Sequence, residues 1–385
     1  MIKTPFKLFL TCPRGFETTC SQELKLIGIT HRKLEDGGVS FSGDMNDVYK
    51  VNYLSRTGMI LWLEIDKINV RNENTIYESL KIMKWNELFK PDSTFSFNCI
   101  QKGNRFKNTH YISLKGKDAI VDYFKDKNLI RPNVEKQNAD LNFLILIDNH
   151  KGKLLINTSG KPLYKRGYRT IRHDAPINET LAACILKSID WNIDTPLYDP
   201  FCGSGTIPIE AGRIVKNIPS GILRKKWGFQ ALSEFDKNNW LEIKNNEDSK
   251  IINTTSVNIF ASDNSNFCIQ SSKIHSKHAG VLELIKFRTT EIIDWIPFSE
   301  NGIIITNPPY GIRLHKIQGI NKLYSDFGDI LKSKCEGFNA YIICGNRDLI
   351  KKIGLKTSMK KPIRIGKLDG RLVGFELYKG SRKNK

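Results

Sequence analysis

Apolar and polar positions along the first 160 residues change period repeatedly, from alternation to helical spacing and back. Lys7 to Thr11 reads as a strand, Glu17 to Ile27 as a helix, and His31 to Glu35 with Val39 to Ser42 as a hairpin across Asp36-Gly37. Asp44 is placed to cap a helix running to Leu54, and Thr57 to Ile68 reads as a strand. A second unit follows. Thr75 to Met83 predicts a helix, with Trp85 and Phe89 behind it as core candidates. Thr94 to Ile100 predicts a strand, Ile112 to Asp126 a helix, and Leu141 to Ile147 with Lys153 to Asn157 a closing hairpin.

The pattern beyond Lys161 is different: short β-branched runs, each ending in residues with special chemistry. A short strand ends at Asp199, a loop with Gly203 and Gly205 follows, and Thr206 to Val215 reads as a helix. No Lys follows the Gly residues, so a phosphate-gripping loop is disfavoured, and the spacing to a third Gly is wrong for a dinucleotide fingerprint. Val257 to Asp263 and Leu284 to Glu291 read as further strands closing on carboxylates. Asp263 is placed to accept hydrogen bonds from both ribose hydroxyls of a nucleoside. Finally, Gly302-Ile303-Ile304-Ile305-Thr306 reads as a buried parallel strand that stops at Asn307-Pro308-Pro309-Tyr310. Two consecutive prolines fix φ and stiffen that loop, at the strand end where open α/β sheets hold ligands.

Asp199-Pro200-Phe201-Cys202-Gly203-Ser204-Gly205-Thr206 resembles the first motif of class I S-adenosylmethionine-dependent methyltransferases, and N-P-P-Y follows in the expected order. The resemblance implies that Asp199, Phe201, Gly203, Gly205, Asp263 and Asn307 hold S-adenosylmethionine. It places Glu291 where the family usually has Asp for the adenine amine. It also implies methyl transfer to an exocyclic amine, a poor nucleophile whose lone pair is delocalised into its ring. The Asn307 side-chain oxygen and the Pro308 carbonyl would orient that amine and stabilise charge developing on it, and Tyr310 would stack on the base. Asn307, Pro308, Pro309 and Tyr310 are therefore the catalytic candidates. Cys202 reads as a small packing residue.

The first βαββαβ order is ferredoxin-like. The second unit resembles a THUMP domain, an RNA-binding module found beside methyltransferase folds. Tyr164-Lys165-Arg166-Gly167-Tyr168-Arg169, then Ala175 to Ala183, resembles the join in THUMP-containing guanine-N2 methyltransferases. The insertion from Ile218 to Trp240 is more similar to the bacterial branch acting on 23S rRNA than to the tRNA branches. The likeness spans most of the chain and is strongest from Lys161 to Arg313. It implies an α/β fold: a Rossmann-like methyltransferase domain at 161–385, with a basic linker at 161–176, behind a ferredoxin-like domain at 1–68 and a THUMP domain at 69–160.

Charge narrows the partner. Sixty Lys and Arg against forty Asp and Glu give a net charge of +20, the footprint of a nucleic-acid partner. The richest run is Lys161 to Arg172 in the linker, where Lys161, Lys165, Arg166, Arg169 and Arg172 are interleaved with Tyr164 and Tyr168 and no acid. These five cations are the candidates for RNA phosphate contact, with the two Tyr for base stacking. Eight Cys without a C-x-x-C pair give no reason to expect a disulfide framework or a metal site. His275 and His278 share a helix face and read as solvated surface. With no apolar run of membrane length and no leader-like start, the expectation is a cytoplasmic protein without a membrane or an obligate protein partner. The chain ends at a basic tail, Lys379 to Lys385, with no second methyltransferase behind the first.

The reading is an RNA guanine-N2 methyltransferase, with large-subunit rRNA or its assembly particle as the foremost substrate. A tRNA enzyme with the same domains stays open, as does, more distantly, a DNA adenine-N6 enzyme. Outside enzymes, the same residues would suit an RNA-binding or ribosome-assembly factor built on a methyltransferase fold. A cut near Leu163 is expected to separate a cofactor-binding half from an RNA-reading one.

Overall fold

The structure, a computed structural model, describes residues 4–90, 92–173, 176–189, 191–256, 258–310, 317–366 and 368–378. The basic tail, Ala175 of the linker motif, Val257 of a predicted strand and Arg313 lie outside the described residues. By its contacts the chain divides into two compact units. One holds the chain through Cys12, Cys20–Lys165 and Ser220–Ser249; the other holds Pro13–Thr19, Arg166–Pro219 and the chain from Lys250.

The first unit follows the predicted alternation closely. Its elements are β1 (Phe6–Thr11), α1 (Glu17–Ile27), β2 (Arg32–Glu35), β3 (Gly38–Gly43), α2 (Met45–Leu54) and β4 (Ile60–Ile68). Then come α3 (Glu73–Lys81), the single turn α4 (Trp85–Leu88), β5 (Phe95–Lys102), α5 (Thr109–Asp126), β6 (Leu141–Asp148) and β7 (Lys151–Asn157). Asp44 caps α2 in a capping box with Asp47, as its position before the helix requires. Trp85 and Phe89 are fully buried. The strands form one sheet in the order β2-β3-β1-β4-β7-β6-β5, because β4 pairs antiparallel with β7. The two small units expected from the sequence therefore share a single sheet and a single core.

The second unit carries the remaining sheet. Its elements are α6 (Glu179–Ser188), β8 (Leu197–Asp199), α7 (Thr206–Val215), β9 (Ile259–Asp263), α9 (Asn266–His278), β10 (Ile285–Thr289) and β11 (Ile303–Thr306). The helix α8 (Lys237–Asp248) lies between α7 and β9 in the chain but belongs to the first unit. Behind β11 follow α10 (Ile317–Lys334), β12 (Asn339–Cys344), α11 (Arg347–Lys352), β13 (Met359–Ile365) and β14 (Leu368–Glu376). The strand order is β10-β9-β8-β11-β12-β14-β13, parallel from β10 to β12 and antiparallel through β14 and β13. β11 is buried at all four positions, which is why it reads as a continuous apolar run. The order reverses direction between β8 and β11, so the loops leaving their carboxyl ends part and open a crevice. Among the described residues no helix is long and apolar enough to cross a membrane.

The segment Ser220–Ser249 earns its place in the first unit through aromatic packing. Trp227 stacks on Phe229 with ring centroids 5.7 Å apart, and Trp240 meets Tyr53 edge-on at 5.4 Å. The Tyr53 hydroxyl donates to Asp248 Oδ1 at 2.5 Å, and Asp236 N–H donates to the Tyr49 hydroxyl at 2.9 Å. Arg224 donates to the carbonyls of Ser159, Lys161 and Pro162, which pins the start of the linker. Removing one buried ring leaves a cavity that the rigid neighbours cannot close. Trp240→Ala should therefore cost about 3–5 kcal/mol in denaturant unfolding. A loss below about 1 kcal/mol would show that the segment only lies on the surface.

Candidate active site

The crevice at the strand reversal is a cavity of about 830 Å³. The loop after β8 forms its floor. Gly203 and Gly205 both take positive φ, +53° and +82°, and Gly205 is the residue preceding α7. A Cβ at Gly205 would lie 3.0 Å from Ser272, so the left-handed turn and the tight seat both demand glycine. Ser272 donates to the Gly203 carbonyl at 2.7 Å and holds the loop against α9.

Three carboxylates face this cavity, from Asp199, Asp263 and Glu291, and its described lining residues include no lysine or arginine. In a chain of net charge +20 this is a local inversion of sign, suited to a cationic ligand. Asp263 is fixed by two backbone donors, Gly203 N–H at 3.0 Å and Ser265 N–H at 3.0 Å, one to each oxygen. Each oxygen keeps a further lone pair for an outside hydroxyl. Glu291 follows β10 and is exposed, its two oxygens each 3.3 Å from Asn264 Nδ2. Asp199 is buried and accepts from Thr306 Oγ1 at 2.6 Å and Phe201 N–H at 3.3 Å. Burial pushes its carboxyl up to about 7, the two donors oppose the rise, and the neighbouring charge of Asp263 adds to it.

Asn307 to Tyr310 form the facing wall. Burial pushes the Tyr310 phenol up and a hydrogen bond with Asn307 pulls it back. The Tyr310 ring lies close on Gly345, where a Cβ would come within 2.9 Å of it. The Asn307 Oδ1 atom is buried and has no partner among the described residues. An orphaned buried acceptor costs free energy unless an incoming donor completes it, so the site fits a ligand bearing N–H. Phe201 is half-buried and packs edge-on against Phe327 at 5.1 Å. Cys202 is buried, with its thiol pushed well above the usual range by burial, which suits packing and not nucleophilic attack.

The linker departs from its expected role. Arg166 is 1% exposed and pairs with the fully buried Glu210 at 3.6 Å, so it is out of reach of any phosphate. Tyr168 is equally buried and donates to Glu210 at 3.1 Å, so it offers no face for stacking. Arg169 donates to Thr206 Oγ1 at 2.7 Å and to the Ile177 carbonyl at 3.2 Å, and lies 3.6 Å from Glu179. These side chains brace α6 and α7 beneath the glycine loop. Lys161, Lys165 and Arg172 remain exposed.

His275 also departs from expectation. It is fully buried, with Nδ1 3.1 Å from the Ser204 carbonyl and Nε2 accepting from Ile171 N–H at 3.1 Å. Both ring nitrogens are satisfied in the neutral form, and burial lowers its pKa. His278 is exposed, as expected. Further walls of the cavity are not assigned to it from the sequence: His173 of the linker with Ile177 just beyond it, and Ile320 with Leu323 from α10. The apolar spacing of the latter pair is the only hint.

The family described as RMKL-like, methyltransferase domain, matches residues 166–373. The RlmL ferredoxin-like domain matches 7–59 and the THUMP domain matches 70–156. A candidate RNA methyltransferase of Synechocystis sp., slr0064, is 32% identical over 370 residues, covering 96% of each chain. A candidate methylase from Clostridium difficile 630 has the same fold, with a TM-score of 0.88 at 28% identity over 98% of this chain and 99% of that one. SMU.472, a candidate methyltransferase solved with S-adenosylhomocysteine, gives 0.87 over 99% of this chain and 100% of that one. At 24% identity that last likeness is one of fold.

The raised Asp199 carboxyl gives the cavity a pH dependence of definite sign. Below about 7 Asp199 is protonated and neutral, and above it ionised. A cation entering beside it binds the ionised form better, so affinity for S-adenosylmethionine should rise with pH through about 7. S-adenosylhomocysteine, a zwitterion of no net charge that lacks the sulfonium, should show much less of this rise, and Asp199→Asn should abolish it. Calorimetric titrations at several pH values test this; equal slopes for the two ligands would refute it.

Proposed function

Because the chain belongs to the RMKL-like methyltransferase family, with S-adenosylmethionine as methyl donor and RNA as substrate, we propose that it methylates the exocyclic N2 amine of a guanine, foremost in 23S rRNA. The observation that carries this reading is the buried Asn307 Oδ1, without a partner among the described residues, on the wall of an acidic cavity. In the proposal, Asp263 takes the ribose hydroxyls and Glu291 the adenine amine. The loop from Asp199 through Gly205 lies under the remainder of the donor.

Bound there, S-adenosylmethionine supplies an electrophilic methyl on positively charged sulfur. The work left to the chain is orientation. Asn307 Oδ1 and the Pro308 carbonyl accept the two amine hydrogens and turn the nitrogen lone pair toward the methyl. As nitrogen gains positive charge, the same two oxygen dipoles would stabilise it without reorganising, because Pro308 and Pro309 hold the loop rigid, and its surplus proton would pass to solvent as the demethylated donor leaves. Tyr310, seated on Gly345, offers its remaining face to an extruded base. In the same reading residues 1–68 and 69–160 position the RNA, and the exposed Lys161, Lys165 and Arg172 contact phosphate.

Each role has a separate measurement. Asp263→Ala should weaken S-adenosylmethionine binding by roughly 1.5–3 kcal/mol, the scale of charge-linked hydrogen bonds. Unaltered calorimetric affinity in a folded variant removes Asp263 from the cofactor site. Asn307→Ala should keep cofactor and RNA affinity while slowing single-turnover methylation by about a hundredfold or more. A near-normal rate would make Asn307 structural. Nucleoside mass spectrometry of rRNA and tRNA from a deletion strain identifies the base; loss of a modification other than N2-methylguanine would overturn the proposed amine.

A further inference from the structure

Among the described residues, the helices of the first unit pack on one face of its seven-stranded sheet. Inner positions such as Leu8, Leu63, Phe143 and Ile156 enter one core with Leu24 of α1, Val48 of α2, Leu80 of α3 and Ile120 of α5. The outer face is read by following the pairing register. Phe9 stands opposite Trp62, Leu155 opposite Leu144, and Leu146 opposite Ile100. Trp62 and Leu155 are diagonal neighbours, since Trp62 pairs with Asn157 and Glu64 with Leu155. An apolar strip thus crosses from β1 to β5 outside the core. Ile100 is 55% exposed and Phe9, Trp62 and Leu146 are partly exposed, while Leu144 and Leu155 between them are buried. The Phe9 ring lies over Gly38, where a Cβ would come within 2.7 Å of it.

Cations share the face. By the same registers Lys7, Lys33, Lys67, Lys102, Lys151 and Lys153 project from it, against the acids Glu35, Glu64 and Asp148. Glu64 lies between Lys7 at 3.6 Å and Lys153 at 2.7 Å, so it is already neutralised. Aromatic and aliphatic surface left uncovered on a sheet is uncommon without a partner. Partly exposed at Phe9, Trp62, Leu146 and Ile100 and fringed with lysine, it matches the chemistry of unstacked bases joined by phosphates. An RNA duplex keeps its bases inside and gains nothing from the strip.

We propose that this open sheet face binds single-stranded RNA, bases lying on Phe9 and Trp62 and phosphates on the lysines around them. The proposal rests on RNA being the substrate, and names a surface remote in sequence from the cavity. The test uses full-length protein, a labelled twelve-nucleotide oligouridylate and an RNA duplex of equal length, with anisotropy read across a salt series. Phe9→Ala with Trp62→Ala should weaken single-strand binding about tenfold or more, at unchanged salt slope and unchanged duplex affinity. Lys7→Gln with Lys153→Gln should instead lower the log–log salt slope by roughly 1–1.5. Phe9→Tyr with Trp62→Tyr keeps both rings and should restore binding, which separates stacking from misfolding.

Unchanged single-strand affinity in the alanine variant, an equal loss on the duplex, no binding by wild type, or no rescue by tyrosine would each overturn the proposal. A protein partner on this face would give the first of these results. Methyl transfer from S-adenosylmethionine to bulk rRNA by wild type is measured alongside. Transfer with an unaltered variant refutes only this surface, whereas no transfer refutes the functional reading.

Discussion

The hydrogen bond from Thr306 Oγ1 to Asp199 at 2.6 Å joins the two strand ends between which the cavity opens. Asp199 closes β8 and Thr306 closes β11, so this one contact sets the separation of the glycine loop from Asn307. Asp199 also accepts from Phe201 N–H, which starts the turn toward Gly203. The glycine loop in turn donates to Asp263 at the end of β9. Three strand ends are thereby held by a chain of charge-assisted bonds, and the carboxylates remain close together despite mutual repulsion. Burial above all, with a lesser contribution from the charge of Asp263, makes Asp199 titrate high against the pull of its two donors.

Charge is sorted in this molecule by burial as much as by position. The whole chain is basic, yet the cavity is acidic, and two of its arginines, Arg166 and Arg213, are fully enclosed. Arg213 lies 5.6 Å over the Tyr168 ring and donates to the Pro219 carbonyl at 2.7 Å. With Glu210 and Glu179 these residues make an ionic cluster under α6 and α7. Buried ion pairs add little net stability compared with apolar packing, but removing one partner strands the other. Such a cluster fixes how the two helices meet, and with them the end of the glycine loop, where α7 begins at Thr206.

What the sequence made legible follows from locality. Strands whose periodicity alternates, and the loops that end them, were readable to within a few residues, and α1 and α7 match their predicted limits. Glycine spacing and the double proline carry their meaning in the backbone itself, so the cavity floor and wall were visible too. Contacts between distant segments were not. The β4–β7 pairing that merges two expected units into one sheet has no local signature. A basic run reads as surface because single-letter charge does not reveal that Glu210 lies waiting for Arg166. His275 is invisible for the same reason, since its two partners are 71 and 104 residues away.

The excursion of Ser220–Ser249 into the first unit has a consequence for synthesis. Tyr53 meets Asp248 across 195 residues, so the first unit lacks two of its tryptophans until nearly two-thirds of the chain has left the ribosome. By then the glycine loop and α7 have already emerged. The N-terminal sheet can form early, but its aromatic closure must wait for sequence that lies beyond part of the other unit. No single peptide bond separates the two units, so a break near Leu163 divides the chain without dividing the fold.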